Sequence, residues 1–508
     1  MKFILFLFYV FVCPSSFGSD GCPRKCVCEH GNSVRCFRVQ VVPSAVSKGT
    51  RKLNLGYSQL KELKGKDFSS LTNLEEIVVS SCGVEVVETD TFKQQGLLKT
   101  LELAKNKLTD IPCGLPHSLE VLNLGNNRIQ SIQDSCFEGL RKLRVLDLQK
   151  NLINSLWGST LISLVKLEFL HLDGNGIETV QGSLRLPLLK LLSLADNKIS
   201  SLPPFCLAPL MALTTLQLQG NLLTRVPQDL PRSLISLNLN QNQIKVLKTR
   251  ELGHLRRLTK LSVSQNRLAS VDGNLRLPNL TTLELWGNQL RVVPGRLAPR
   301  LETLDCKQNS IQEVTHYHLC GLRHLRHLFL ENNTIQHFEA IALKNCIQLT
   351  NLALEQNLLS TIPEGLPESL VRLDLKGNCI ETIRKQEVRP LKRLQVLNLR
   401  NNRLSSLDHS TVELLPELRK LFLDGNPWNC SCELLRVKRS LLARRVEIRT
   451  ELCDGSAHPP GDDWRAHLRA QNICEDYLRQ TAPAIQGQSS MPIDHTDHEE
   501  YYDYDSLV

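Results

Sequence analysis

Apolar residues recur along this chain in one pattern, copied with small changes of length. In Leu98-Lys-Thr-Leu101-Glu-Leu103-Ala-Lys-Asn106-Lys-Leu108 the pattern is LxxLxLxxNxL. Its Asn returns at 127, 151, 175, 197, 221, 242, 266, 288, 309, 333, 357, 378, 402 and 426, and two degenerate copies precede these with Ser58 and Cys82 in the Asn place. Successive copies lie 21, 22 or 24 residues apart, and there are 17 of them. A fixed period of this length marks stacked supersecondary units. Within each unit, Leu101-Glu-Leu103 alternates apolar and polar positions, as a half-buried strand does. Asn carries both a donor and an acceptor, so in the buried turn that follows it can satisfy backbone groups of neighbouring copies. No unit can bury its leucines alone. The prediction is an α/β solenoid, a horseshoe with a concave parallel sheet, irregular or short helical segments outside, and a cap at each end. With strands ~4.8 Å apart, 17 of them give a concave arc of about 77 Å.

Cysteine supplies the caps. Cys22-x3-Cys26-x-Cys28-x7-Cys36 precedes the repeats, and Cys430-Ser-Cys432 followed by Cys453 and Cys474 ends them. Four cysteines allow three connectivities per cap, and spacing alone does not choose among them. Clustered cysteines also fit zinc, but the leader argues against it. Lys2 followed by an apolar run from Phe3 to Val12 is a signal-peptide core, too short to span a bilayer, with Ser16 and Gly18 placed for cleavage after residue 18. Cys13 leaves with it, so 16 of the 17 cysteines face an oxidising compartment. Eight lie inside the repeats: Cys82, Cys113, Cys136, Cys206, Cys306, Cys320, Cys346 and Cys379. Cys306 and Cys346 occupy inward apolar positions and read as small buried side chains. Cys320 and Cys346, in neighbouring repeats, are a candidate pair. The expected organisation is a leader at 1–18, an N-terminal cap at 19–49, repeats at 50–428, a C-terminal cap at 429–474 and a tail at 475–508.

The leader, the first cysteine cap and the alternating 21- and 24-residue repeats together resemble the extracellular small leucine-rich repeat proteins and proteoglycans over nearly all of 22–474. The resemblance implies a leucine-rich repeat fold and the pairings Cys22–Cys28, Cys26–Cys36, Cys430–Cys453 and Cys432–Cys474. It also implies a secreted matrix protein that modulates, by inhibition, growth-factor signalling of the transforming growth factor β type. A collagen-binding organiser and a soluble receptor-like recognition module are the alternatives. The chain departs from many members in two ways. It closes with a CxCx20Cx20C cap rather than a long final repeat, and it contains no Ser-Gly dipeptide, the usual glycosaminoglycan attachment site. A glycoprotein is expected, with Asn-x-Ser/Thr at Asn279, Asn332 and Asn429, the last less favoured because it sits between Trp428 and Cys430.

Catalytic chemistry finds no foothold. GxSxG, HExxH, GxGxxG and phosphate-loop motifs are absent from the sequence, and His316, His318, His324 and His327 fall mostly on the loop side before a strand. No cofactor or metal is expected. Binding is the expected work of a solenoid. Two outward columns run down the strands. In the middle they are neutral: Ser193, Gln217, Asn238 and Ser262 beside Ala195, Gln219, Asn240 and Ser264. From the eleventh repeat they become Glu284, Asp305, Phe329, Ala353 and Asp374 beside Trp286, Lys307, Glu331, Glu355 and Lys376. Exposed aromatics ringed by charge are the composition of a protein-binding hot spot. Phe169 and His171 form a smaller patch.

Charge is unevenly spread. The net charge is +9, but residues 481–508 hold six acids and no Lys or Arg, so the remainder carries +15. Arg436, Lys438, Arg439, Arg444 and Arg445 concentrate positive charge near the C-terminal cap, a candidate site for heparan sulfate. The compartment excludes nucleic acid, and no later apolar run suits membrane insertion. Tyr501, Tyr502 and Tyr504 stand among acids, the setting of tyrosine sulfation.

Overall fold

The computed structural model describes residues 22–449 apart from 31, 273, 274, 276 and 430. The leader, Cys453, Cys474 and the tail tyrosines lie outside the described residues. The main sheet has 20 strands. Two form an antiparallel N-terminal hairpin, Cys26–Glu29 with Ser33–Cys36. One, Glu447–Arg449, closes the other end against Lys420–Phe422. The remaining seventeen are three-residue strands from Lys52–Asn54 to Lys420–Phe422, one per repeat, paired in parallel with equivalent positions aligned.

Each strand is short because the pattern dictates it. The central residue of every triplet, Leu in all but Ile77, points inward, and the apolar residues on either side of the Asn turn follow it into a single continuous core. The Asn then closes the turn. Asn221 Nδ2 donates to Leu194 O at 2.9 Å in the previous repeat and to Leu218 O at 3.1 Å in its own, while Oδ1 accepts from Ile199 N at 3.0 Å. The same three bonds recur from Asn127 to Asn426. A buried amide that satisfies carbonyls and an N–H of two successive turns fixes their spacing, and losing it would strand those groups away from water. The degenerate copies keep a substitute. Ser58 Oγ accepts from Val39 N at 3.2 Å, and Cys82 Sγ donates to Leu55 O at 3.1 Å.

A second rule emerges at the residue just before each Asn. It is left-handed in all 17 repeats, whether glycine as at Gly220 and Gly425 or a side-chain-bearing residue such as Lys150, Gln265 or Asn332. That conformation disfavours most residues, yet the turn imposes it throughout.

Outside the main sheet the chain is mostly irregular, with short helices such as Gly65–Phe68, His316–Leu319 and Lys385–Val388. Four short parallel strand pairs also form there, including Leu156–Trp157 with Val180–Gln181 and Val246–Lys248 with Ser270–Asp272. The period did not reveal them; in each pair the partner residues stand 24 apart in sequence. At the C-terminal end the 12-residue helix Cys432–Ala443 turns Leu434, Val437 and Leu441 onto the last repeat.

Disulfides join Cys22 to Cys28 and Cys26 to Cys36 across the N-terminal hairpin. Cys432 is also disulfide-bonded, and the residues expected to pair with it and with Cys430 lie outside those described. The Cys320–Cys346 candidate is wrong: both thiols are free. They stand at different depths, with Cys346 fully buried in the core and Cys320 donating to Tyr317 O at 3.3 Å near the surface. The bridge between repeats is instead Cys113–Cys136. Cys306 and Cys346 are fully buried, and burial pushes the Cys346 thiol up to about 12.

The concave face as candidate functional site

Strand register places the predicted residues together. Glu284, Asp305, Phe329, Ala353 and Asp374 occupy equivalent positions on five successive strands. Trp286, Lys307, Glu331, Glu355 and Lys376 follow two residues further on. Their exposure differs from expectation. Phe329 is only 9% exposed, Asp305 8%, Asp374 6% and Glu331 3%. Trp286, Glu284, Lys307 and Glu355 are half-buried. The inner side of a curved sheet crowds neighbouring side chains together, so large residues on adjacent strands cover one another. The neutral middle is crowded in the same way: Ser193, Ser262, Ser264 and Ala195 are buried.

Several of these side chains also have local duties. Asp305 Oδ1 accepts from Lys307 N at 3.0 Å, and Asp374 Oδ1 accepts from Lys376 N at 3.0 Å while Oδ2 accepts from Asn398 Nδ2 at 2.9 Å. Asn54, Asn123, Asp147 and Asn238 cap the N–H two residues ahead in the same way. Aspartate and asparagine recur in this column because they close an Asx turn. Glu284 is tied backwards, to Ser262 Oγ at 2.6 Å and Lys260 Nζ at 2.6 Å. Phe329 stacks on His327, which lies on the strand and not in a preceding loop. Lys307 Nζ sits 5.7 Å from the centre of the Trp286 ring.

Sequence reasoning passed over a different stretch. Two residues before the Glu284–Asp374 column on each strand, repeats four to seven carry Val121, Val145, Phe169 and Leu191, where their neighbours carry Thr100, Thr215 and Ser236. These four align strand to strand and all are half-buried. Four strands ~4.8 Å apart make an apolar ribbon about 14 Å long. It is bordered by Arg144, Glu168 and Lys190, with Arg144 Nε at 2.8 Å and Lys190 Nζ at 2.7 Å from the Glu168 carboxylate. Hydrogen bonds from both cations hold Glu168 down to about 2. The pattern that carries the ribbon is plain in the sequence: four successive copies put an apolar residue where others put a polar one.

The other predicted sites separate on exposure. Asn332 and Asn429 are exposed. Asn279 is half-buried, its Nδ2 donating to Arg256 O at 2.8 Å and its Oδ1 accepting from Arg300 Nη1 at 2.9 Å. In the basic cap, Arg436, Arg439 and Arg445 are exposed and Lys438 is half-buried. Arg444 is turned inward, donating to Val412 O at 3.1 Å and to Leu415 O, so its guanidinium closes the preceding repeat. Among the described residues, no group of three or more His, Cys, Asp or Glu is arranged to hold a metal, and no helix is long and apolar enough to cross a membrane.

Comparison with known proteins follows the repeat. The family model described as leucine rich repeat matches 117–177, 212–268 and overlapping segments from 278 to 427, more than half of the chain. Mouse nephrocan is 45% identical over 463 residues, 91% of this chain and 90% of its own length. The chain belongs to the small leucine-rich repeat protein family. Within the family, human podocan-like protein 1 is 31% identical, over 80% of this chain and 73% of its own length. Among solved structures, a chain of the Drosophila Toll–Spatzle complex superposes with a TM-score of 0.69 at 22% identity, covering 80% of this chain and 58% of that one, a likeness of fold alone. A Leptospira interrogans leucine-rich repeat protein reaches 0.55 at 25% identity, covering 81% of this chain and 93% of its own.

Proposed function

We propose that the chain is a secreted matrix glycoprotein that captures an extracellular protein on the concave face of repeats four to seven. By that capture it inhibits growth-factor signalling of the transforming growth factor β type. One observation carries the choice of surface: the half-buried apolar ribbon of Val121, Val145, Phe169 and Leu191, flanked by the locked Arg144–Glu168–Lys190 ladder. An apolar centre beside a polar rim is the anatomy of a protein interface. The sequons support the same half. All three lie at or beyond the eleventh repeat, so glycans at Asn279, Asn332 or Asn429 leave the ribbon uncovered. The growth-factor class rests on kinship with the family, and the ribbon does not name it.

The test is capture from conditioned medium and matrix by the secreted chain and by its Phe169→Asp variant, with a growth-factor reporter assayed in parallel. A ligand lost from the variant, together with reporter inhibition lost in step, is the expected result. Strong collagen retention with an unchanged reporter would replace inhibition by a collagen-organising role. Binding of heparan sulfate at the basic cap is a separate reading, favoured by the exposure of Arg436, Arg439 and Arg445 on and beside the terminal helix. Neutralising those three should lower the salt at which heparin releases the chain, because polyanion affinity depends steeply on salt. Removing the acidic 481–508 should raise it.

A further inference from the structure

Repeats twelve to fifteen present a different chemistry on the same face. Asp305, Glu331, Glu355 and Asp374 set four carboxyl groups against three cations, the ammonium groups of Lys307 and Lys376 and the guanidinium of Arg372 on the Asp374 strand. Lys307 is already engaged, 3.8 Å from Asp305 and over the Trp286 ring. Glu331 stands apart from the rest. It is 3% exposed, and its Oε2 has no hydrogen-bond partner. The strand register sets Glu355 beside it on the next strand, half-buried and so nearer to solvent. A carboxyl group withdrawn from water without a cation or a donor is costly in its ionised form. Here burial, with Asp305 and Glu355 adding to it against the group's own backbone N–H and the opposing Lys307, pushes Glu331 up to about 8. Burial and the neighbouring Asp374 raise Glu355 as well. The excess of acids is therefore held as protons in the free chain.

A proton is one way to balance that excess, and an ammonium or guanidinium group is the other. We propose that this part of the concave face receives a cationic side chain, Lys or Arg, presented by a protein partner, with Glu355 as its outer and Glu331 as its inner counter-ion. The proposal rests on the concave face being the protein-binding surface. It adds the chemistry of a second contact, several strands from the apolar ribbon. The cation meets Glu355 first, and Glu331 ionises beneath it. Binding therefore expels a proton and strengthens as pH rises through the range in which Glu331 would otherwise hold it. His327, the nearest imidazole along the strand, is lowered by burial and stays neutral across that range.

The test titrates the full-length secreted chain with a hexa-arginine peptide, following tryptophan fluorescence with a Trp286→Phe variant to assign the signal. Calorimetry in two buffers of different ionisation enthalpy counts the protons released. The expected result is a saturable change in Trp286 emission, affinity about thirty-fold higher at pH 9 than at pH 6.5, and release of close to one proton at neutral pH. In the double variant Glu331→Gln, Glu355→Gln the affinity should fall about tenfold and the proton release should vanish. Glu355→Gln alone, at the more exposed position, serves if the double variant does not fold. Peptide binding that is equal in wild type and variant, with Trp286 silent, would overturn the proposal and assign the peptide to the acidic residues of 481–508. Phe169→Asp should leave the peptide response intact, so failure of the ribbon and failure of this pocket give different results.

Discussion

The two halves of the concave face share one scaffold and put different chemistry on it. In repeats four to seven the first strand position is apolar and half-buried: Val121, Val145, Phe169 and Leu191 stand where the downstream strands carry Thr303, His327, Asn351 and Arg372. In repeats twelve to fifteen the composition looks far more like a binding site, yet Phe329, Asp305, Asp374 and Glu331 are largely covered by one another. What separates them is the size of the neighbours in the adjacent columns. Beside the ribbon stand Asn123, Asp147, His171 and Ser193, with Gly125, Gln149, Asp173 and Ala195 beyond. Phe329, Lys307, Glu331 and Glu355 fill the corresponding space downstream. Interface-like composition on a curved sheet therefore says little until it is known which side chains lie across the strand.

The comparison presumes that the scaffold beneath the two halves is equivalent. Asn151 and Asn357 test this, since each bonds two carbonyls and one N–H of successive turns. Replacing either by Ala should cost on the order of 3 kcal/mol, because several buried backbone groups lose their partner together. The measurement is denaturant unfolding of both variants. Markedly unequal costs would show that the halves differ in their frame as well as in their faces.

A smaller effect is expected at the ribbon. Phe169→Asp buries a charge in any interface that forms there, and should weaken ligand capture by about 2 kcal/mol, roughly thirty-fold. Phe329→Asp at the covered position should instead reduce folding stability. If Phe329→Asp folds normally and abolishes capture while Phe169→Asp does nothing, the assignment of the two halves is reversed.

Much of this was legible from the period alone. The 17 strands, the inward leucines and the duty of the Asn follow from LxxLxLxxNxL, because each is a property of one repeat and its neighbour in fixed register. The ribbon was equally legible, as an apolar residue in four consecutive copies at one position. Depth was not. Nothing in Glu331 itself announces 3% exposure, which arises from Lys307 and Glu355 on adjacent strands and Phe329 on its own. Arg444 likewise reads as one more cation of the cap until the end of the helix turns it onto Val412 O and Leu415 O. Cys113–Cys136 and the free Cys320 were beyond the period for the same reason, since loop cysteines pair by depth and direction.

The buried acid sharpens the contrast through pH. Glu331 is raised in the folded chain to about 8, above its unfolded value. Below about pH 4.5 it is protonated in both states and has no effect. Between there and pH 8 the unfolded state ionises while the folded state keeps its proton, so stability falls as pH rises. Glu331→Gln removes that loss. The variant should match wild type near pH 4.5 and exceed it at pH 9 by up to about 5 kcal/mol, the free energy of raising the carboxyl from about 4.5 to about 8. No equivalent gain should come from Glu168→Gln beside the ribbon, where the carboxylate is held low by two cations. Thermal unfolding across pH 4.5–9 checks both.

The smallest effect concerns Asp305, and it separates charge from geometry in the downstream half. Its Oδ1 accepts the Lys307 N–H at 3.0 Å, and its Oδ2 lies 3.8 Å from Lys307 Nζ. If the column holds aspartate for the Asx turn, Asp305→Asn keeps the acceptor and should change stability by less than about 0.5 kcal/mol. Asp305→Ala leaves a backbone N–H without its side-chain acceptor and should cost about 1 kcal/mol. The chain already makes this exchange in other repeats, with Asn54, Asn123 and Asn238 capping the same N–H that Asp147, Asp305 and Asp374 cap elsewhere. Asparagine and alanine variants that lose equal stability would mean that the carboxylate's charge is what the fold uses there. Asp305 would then rejoin Glu331 and Glu355 as part of the electrostatic site. The expected inequality leaves those two glutamates, on positions with no turn to close, as the groups available to a partner.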